Sequence, residues 1–147
     1  MIPVSKPSIG KEELAAVAKV FDSGWLGMGS AVKEFEDAIS KFLGGSYVIA
    51  VNTGTTALHL ALDAIGVGEG DEVIVPSLTF VATIQAITAT RAIPVFCDIE
   101  PNTLNIDIKD VEKKMTDRTK AIIPVHYRGI PCDMDGLLAI TKNRNIR

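Results

Sequence analysis

Apolar positions along this chain follow two rhythms, and the change from one to the other at residues 52–55 is its most informative feature. Val48, Ile49, Ala50 and Val51 form an unbroken apolar run, the pattern of a strand buried on both faces. From Thr56 the period becomes helical, with Leu58, Ala61, Leu62 and Ile65 on one face until Gly66 and Gly68 stop it. Between them, Asn52-Thr53-Gly54-Thr55 supplies turn and cap residues. A strand, a tight hydroxyl-bearing turn and a helix starting there aim free backbone N–H groups and the positive dipole end at one point. An anion, most often a phosphate, suits that point. The same residue types also serve a plain helix N-cap at Thr53 or Thr55 with Gly54 in the turn, and the local pattern admits both readings. It lacks the Gly-Lys-Ser/Thr ending of a Walker loop and the spacing of a dinucleotide fingerprint.

The remaining elements follow by the same reading. Ile2 to Ile9 is extended and broken by proline, an arm more than a core element. Lys11 to Ser23 predicts a helix with Leu14, Val17, Ala18 and Phe21 on one stripe. The glycine-rich loop Gly24 to Gly29 carries Trp25. Its GMGSAV resembles a piece of a dinucleotide fingerprint, but no strand precedes it, so the nucleotide reading is rejected. Ser30 is placed as the cap of a second helix reaching Leu43, with Val32, Phe35, Ile39 and Phe42 inward. Glu72 to Val75 predicts a strand closed by Pro76. Thr79 is placed as the cap of a helix to about Thr90, with Val81, Ile84 and Ile87 packed. Ile93 to Ile99 and Lys120 to His126 predict further strands, Asp107 caps a short helix through Met115, and Asp133 to Asn143 predicts a last helix.

Strands alternating with helices at this rhythm predict an α/β fold with a mostly parallel sheet flanked by helices. In such sheets ligands collect at the carboxyl ends of the strands. That places Asn52 to Thr56, Ser77 to Phe80, Asp98 and His126 to Gly129 along one rim. The expected division is an arm with two helices over residues 1–45 and a sheet core over 46–147. After Asn143 the alternation calls for another strand, so the chain reads as incomplete at its C-terminus.

Composition narrows the function. The 147 residues are 47% apolar with few aromatics, enough for a core packed by Val, Ile, Leu and Ala. A net charge of −3 with interspersed signs gives no groove for nucleic acid and no basic face for a membrane. Cys97 and Cys132 lack metal spacing and read as two reduced, buried thiols. His59 and His126 are too few and too far apart for a zinc site, so no metal is expected. With no apolar run long enough to span a bilayer and no signal-peptide core at the start, a cytoplasmic protein is expected.

Several phrases fall in a fixed order: GWLGMG before a helix with VKEFE, then VNTGTTALHLAL, GDEVIVPSLTFVAT, PVFCDIEPNTLNID and TKAIIPVHYRGIPCDMD. In order and spacing they resemble the DegT/DnrJ/EryC1/StrS family over nearly the whole chain. These are fold-type I, pyridoxal-phosphate-dependent aminotransferases acting on nucleotide-linked keto sugars, and the resemblance implies the front part of their large domain. The family's Ser-Gly-Thr turn appears here as Thr53-Gly54-Thr55, followed by Thr56. The resemblance implies that this stretch holds the phosphate of pyridoxal 5'-phosphate. It assigns Phe80 to lie flat against the pyridine ring, where ordinary core packing is the alternative. Trp25 and Gly27 are weaker candidates near the sugar, with packing or a dimer contact equally open for Trp25. His126 is either a satisfied strand-end histidine or a group approaching cofactor or substrate. Asp98 reads as a turn residue and Arg128 as a surface or substrate-phosphate contact.

The family's pyridine-pairing aspartate and Schiff-base lysine are expected beyond Arg147, and no lysine present stands in that context. The resemblance therefore implies a phosphate-anchoring, ring-stacking portion with no catalytic residue of its own, inactive alone. Its implied partners are a nucleotide-linked keto sugar, an amino donor such as glutamate, and a second copy in a homodimer, in glycan or antibiotic-sugar biosynthesis. Two alternatives stand beside this: a silent fragment that folds and associates, and a relative that dehydrates sugars, since the deciding position is absent. A nucleotide-binding α/β domain, a third reading by fold alone, lacks its fingerprint and ribose-binding acid.

Overall fold

The computed structural model describes residues 6–142 and 144–147. The arm's residues 2–5 and the expected last helical residue, Asn143, lie outside the described residues. The chain divides into two compact units, Met1–Ala50 and Val51–Arg147.

The first unit holds two helices, α1 (Lys11–Asp22) and α2 (Ser30–Phe42). α1 opens where the Gly10 N–H donates to Glu13 Oε2 at 2.6 Å, a carboxylate satisfying a donor at the helix start. α2 departs from expectation, because its N-cap is Gly29, extended at φ −146°, and Ser30 is already the first helical residue. The apolar stripes also differ from expectation: Leu14, Val17, Phe21, Phe35 and Phe42 are exposed, and neither helix buries a residue. Two helices lack the third surface needed to cover two stripes. The expected strand at Val48–Val51 is likewise not formed. An apolar run becomes a strand only against a ladder partner. Here the Ala50 N–H donates to Glu36 Oε1 at 2.8 Å and Ile49 is exposed.

The second unit is the α/β body. It runs α3 (Gly54–Ala64), β1 (Glu72–Pro76), α4 (Val81–Ala89), β2 (Ile93–Cys97), α5 (Ile108–Lys114), β3 (Thr119–Ile122) and α6 (Met134–Thr141). The sheet order is β2-β1-β3 and both pairings are parallel, as the alternation predicts. β1 is central and buried throughout. Its side chains alternate between two cores. Val73 and Val75 pack with Leu62, Ala86, Ile87 and Ala121 on the α3/α4 face, and Ile74 packs with Cys97, Ile106, Val111, Cys132 and Leu137 on the α5/α6 face. β2 is an edge strand with Ile93 and Phe96 half exposed, which is where Pro94 is tolerated.

Two strands stop earlier than predicted. β3 ends at Ile122, with one more ladder bond from Ile123 N to Ile74 O, because Pro124 has no N–H to continue it. β2 ends at Cys97, after which the Asp98 N–H donates to Asp110 Oδ2 instead of a strand. On the other edge of β3, Arg147 donates to Lys120 O and accepts from Ile122 N, the pairing a further parallel strand makes. Below the sheet's amino end, buried Glu72 accepts from the Thr116 hydroxyl at 2.6 Å and from Arg118 Nε at 3.0 Å. These bonds, Thr116's foremost, hold its carboxyl below the usual carboxylate range.

Candidate functional site

The start of α3 is tied by its own hydroxyls. Thr53 is the N-cap, extended at φ −148°, and its Oγ1 accepts from the Thr56 N–H at 3.0 Å. The Thr56 hydroxyl donates to Asn52 Oδ1 at 3.1 Å. Its 3.0 Å contact with the Thr53 hydroxyl is then donated by Thr53. Both threonines are thus committed to the cap, while the N–H groups of Gly54 and Thr55, as first residues of a helix, have no intrahelical acceptor. Gly54 has an ordinary φ, and a Cβ built there meets nothing within 4 Å, so the fold does not require glycine at this position.

α4 begins differently from expectation. Its N-cap is Phe80, not Thr79, and the Thr79 hydroxyl meets that of Thr83 at 2.9 Å. As the cap, Phe80 carries no side-chain acceptor, and the residue is 77% exposed, unlike an ordinary core phenylalanine. Gly54, Thr55, Ala57 and Leu58 from the start of α3 and Phe80, Ala82 and Thr83 from the start of α4 line one open cavity of about 550 Å³. The structure therefore brings the hydroxyl turn and the predicted ring-stacking aromatic to one depression, with two helix starts at its walls. Val81, expected to pack, is exposed, whereas Ala82 and Thr83 are buried and line the cavity. Neither was singled out in the sequence, although a threonine four residues after Thr79 falls on the same helical face.

The other sequence candidates are not among the residues that line this cavity. Trp25 and Gly27 belong to the first unit, where Trp25 folds over its own loop and donates from Nε1 to Met28 O at 3.0 Å. His126 does not end a strand but caps the turn Tyr127–Gly129, and its Nδ1 accepts from the Cys132 N–H at 3.0 Å. Asp98, expected in a turn, instead joins β2 to the Ile99–Ile106 bridge, with Oδ1 accepting from Ile99 N at 2.9 Å. Arg128 lies 5.3 Å over the Tyr127 ring, at φ 54°. Cys97 and Cys132 are both buried and free, and burial pushes the Cys97 thiol up to about 12, which removes it as a nucleophile. Among the described residues no cluster of His, Cys, Asp or Glu could hold a metal, and no helix is long and apolar enough to cross a membrane.

A parallel sheet covered by helices on both faces defines an α/β protein, a class in which ligands collect at the carboxyl ends of the strands. The chain belongs to the DegT/DnrJ/EryC1/StrS aminotransferase family, whose model matches residues 7–147. It is 49% identical over 145 residues to the spore coat polysaccharide biosynthesis protein SpsC of Bacillus subtilis (strain 168), covering 99% of this chain and 37% of that protein. Its fold matches a Streptococcus pneumoniae protein, described as a sugar aminotransferase and solved in PMP form, with TM-score 0.92 and 38% identity. That match covers 99% of this chain and 37% of the other. It also matches an Escherichia coli GDP-4-keto-6-deoxy-D-mannose-3-dehydratase with bound hydrated PLP, with TM-score 0.89 and 33% identity, over 98% of this chain and 39% of that one. The chain thus spans little more than a third of the length of these relatives.

Proposed function

We propose that this chain is the cofactor-anchoring part of a pyridoxal-phosphate-dependent aminotransferase that transfers an amino group, from a donor such as glutamate, to a nucleotide-linked keto sugar. The observation that carries the reading is the shared cavity, whose lining combines Gly54 and Thr55, their N–H groups without an intrahelical acceptor, with the exposed Phe80. The residues present fit the cofactor. A phosphate takes the helix-start N–H groups, the bare Cα of Gly54 allows close approach, and Phe80 offers a flat face to a heterocycle. When bound, pyridoxal phosphate supplies the electron sink for amino-group transfer. The chain's own residues contribute positioning: Thr53, Gly54, Thr55 and Thr56 fix the phosphate end, and Phe80 fixes the tilt of the ring.

Both units are read as one front portion of the large domain, with the arm and helices over 1–45 and the sheet core over 46–147. No lysine here stands in the family's Schiff-base context and no aspartate in its pyridine-pairing context, so the chain does not turn over alone. Trp25, Gly27 and His126 are assigned to the substrate side, in a cytoplasmic enzyme completed by a second copy. The likeness to a dehydratase keeps sugar dehydration as the second reading, with the same anchoring role for Gly54 and Phe80.

Titration with pyridoxamine 5'-phosphate, which forms no adduct with stray lysines, tests the anchor. The wild-type chain binds saturably. Gly54→Val, which keeps the fold because nothing occupies that space, weakens binding about tenfold or more. Equal affinity in the variant, or no saturable binding in the wild type, contradicts the proposal.

A further inference from the structure

Asn105 lies in the loop between β2 and α5 and is 5% exposed, a buried amide that neither the cap, the sheet nor the cavity uses. Its side chain reaches across more than twenty residues to the loop after β3. Nδ2 donates to Ile130 O at 3.1 Å and to Pro131 O at 3.0 Å, and Oδ1 accepts from Tyr127 N at 3.1 Å. Both amide protons and the amide oxygen are therefore spent on three backbone groups of one loop. The amide is itself anchored at the main chain, where Asn105 N donates to the Thr103 hydroxyl and its carbonyl accepts from Glu100 N. The gripped loop holds Arg128 in the left-handed region at φ 54°, and Leu104, immediately before Asn105 on the other loop, stands there too at φ 61°. Such conformations persist only where their surroundings over-determine them.

What the loop presents is His126. Its Nδ1 accepts from Cys132 N, and the Cys132 thiol donates to Val125 O at 3.2 Å, so the two ends of the loop are stitched to each other. An Nδ1 that accepts carries no proton, and the neutral ring then bears it on Nε2. His126 is exposed at the carboxyl-end rim of the sheet, past β3.

We propose that Asn105 is a positioning residue: by gripping the Tyr127–Pro131 backbone it holds His126 as the Nε2–H tautomer, a fixed donor offered at the rim to an acceptor oxygen of the bound ligand. The inference rests on the rim being the ligand side of the sheet, as proposed above. The tautomer itself does not depend on that reading.

Long-range ¹H–¹⁵N spectra of the ¹⁵N-labelled chain at slightly alkaline pH read the tautomer directly. His59→Gln identifies which of the two imidazoles is His126. The expected result is a bare Nδ1 and a protonated Nε2 in the wild type, and tautomer-averaged shifts in Asn105→Ala with its remaining amide spectrum intact. Asn105→Asp, which keeps an acceptor for Tyr127 N but loses both donated bonds, is expected to average likewise. A protonated Nδ1 in the wild type, or an unchanged tautomer in either folded variant, overturns the proposal. Unfolding of both variants also overturns it, since Asn105 is then structural only. Pyridoxamine 5'-phosphate titrated into the same wild-type sample separates the two claims. Absence of binding with the Nε2–H signature intact counts against the ligand site and not against the positioning of His126.

Discussion

Phe80 shows how one residue can carry information about a ligand. A phenylalanine side chain is ordinarily buried, yet this one caps a helix with most of the residue exposed, beside the start of α3. If it stacks on the cofactor ring, Phe80→Ala forfeits about 1 kcal/mol of stacking and more in buried area, so pyridoxamine phosphate affinity falls about fivefold or more. Thermal stability stays near the wild-type value, because the ring packs little in the unliganded chain. A calorimetric titration beside a melting curve checks both halves, and a large loss of stability at unchanged affinity contradicts the assignment. At this scale the sequence was legible where side-chain chemistry acts locally. Thr53, Asp107 and Asp133 all accept from backbone N–H groups at helix starts, as their types imply. It was misleading at Ser30 and Thr79, where the residue before or after took the cap, since cap positions shift by one residue at no cost in composition. Asn105 could not be foreseen, because its partners lie more than twenty residues away.

At the scale of elements, the α/β rhythm, the strand cores and the parallel pairing were all readable from periodicity, since β1 is apolar on both faces and both faces are covered. The run Val48–Val51 shows the limit. Apolar character gives a segment the means to join a sheet, but the ladder partner decides whether it does. The network at the amino end of β1 carries a stability prediction. Thr116 and Arg118 hold the Glu72 carboxyl below the ordinary range, so the folded state binds its proton less readily than the unfolded state. That stability is fully present above the unfolded carboxylate pKa and is lost as pH falls through the lowered folded one. Melting temperature of the wild type therefore drops on acidification across that window. Glu72→Gln loses about 1.5–3 kcal/mol at neutral pH and flattens that part of the acid dependence. An acid profile unchanged by the substitution would show that the network contributes nothing measurable.

At the scale of the molecule, each unit leaves apolar surface uncovered. Phe42, Tyr47 and Ile49 in the first unit and Phe80 in the second are all more than three-quarters exposed. Contiguous exposed apolar patches mark interaction surfaces, and we propose that the chain self-associates through such a patch. Light scattering at micromolar concentration checks it, a dimer or higher species being predicted and a strict monomer contradicting it. The central claim is narrower: the front of α3 receives the charged tail of a B6 cofactor and Phe80 receives its ring. A crystal of the chain soaked with pyridoxamine 5'-phosphate tests it most directly. The account predicts phosphate oxygens about 3 Å from the Gly54 and Thr55 nitrogens with the pyridine ring on Phe80. Phosphate density elsewhere on the chain, with the α3 start empty, contradicts it.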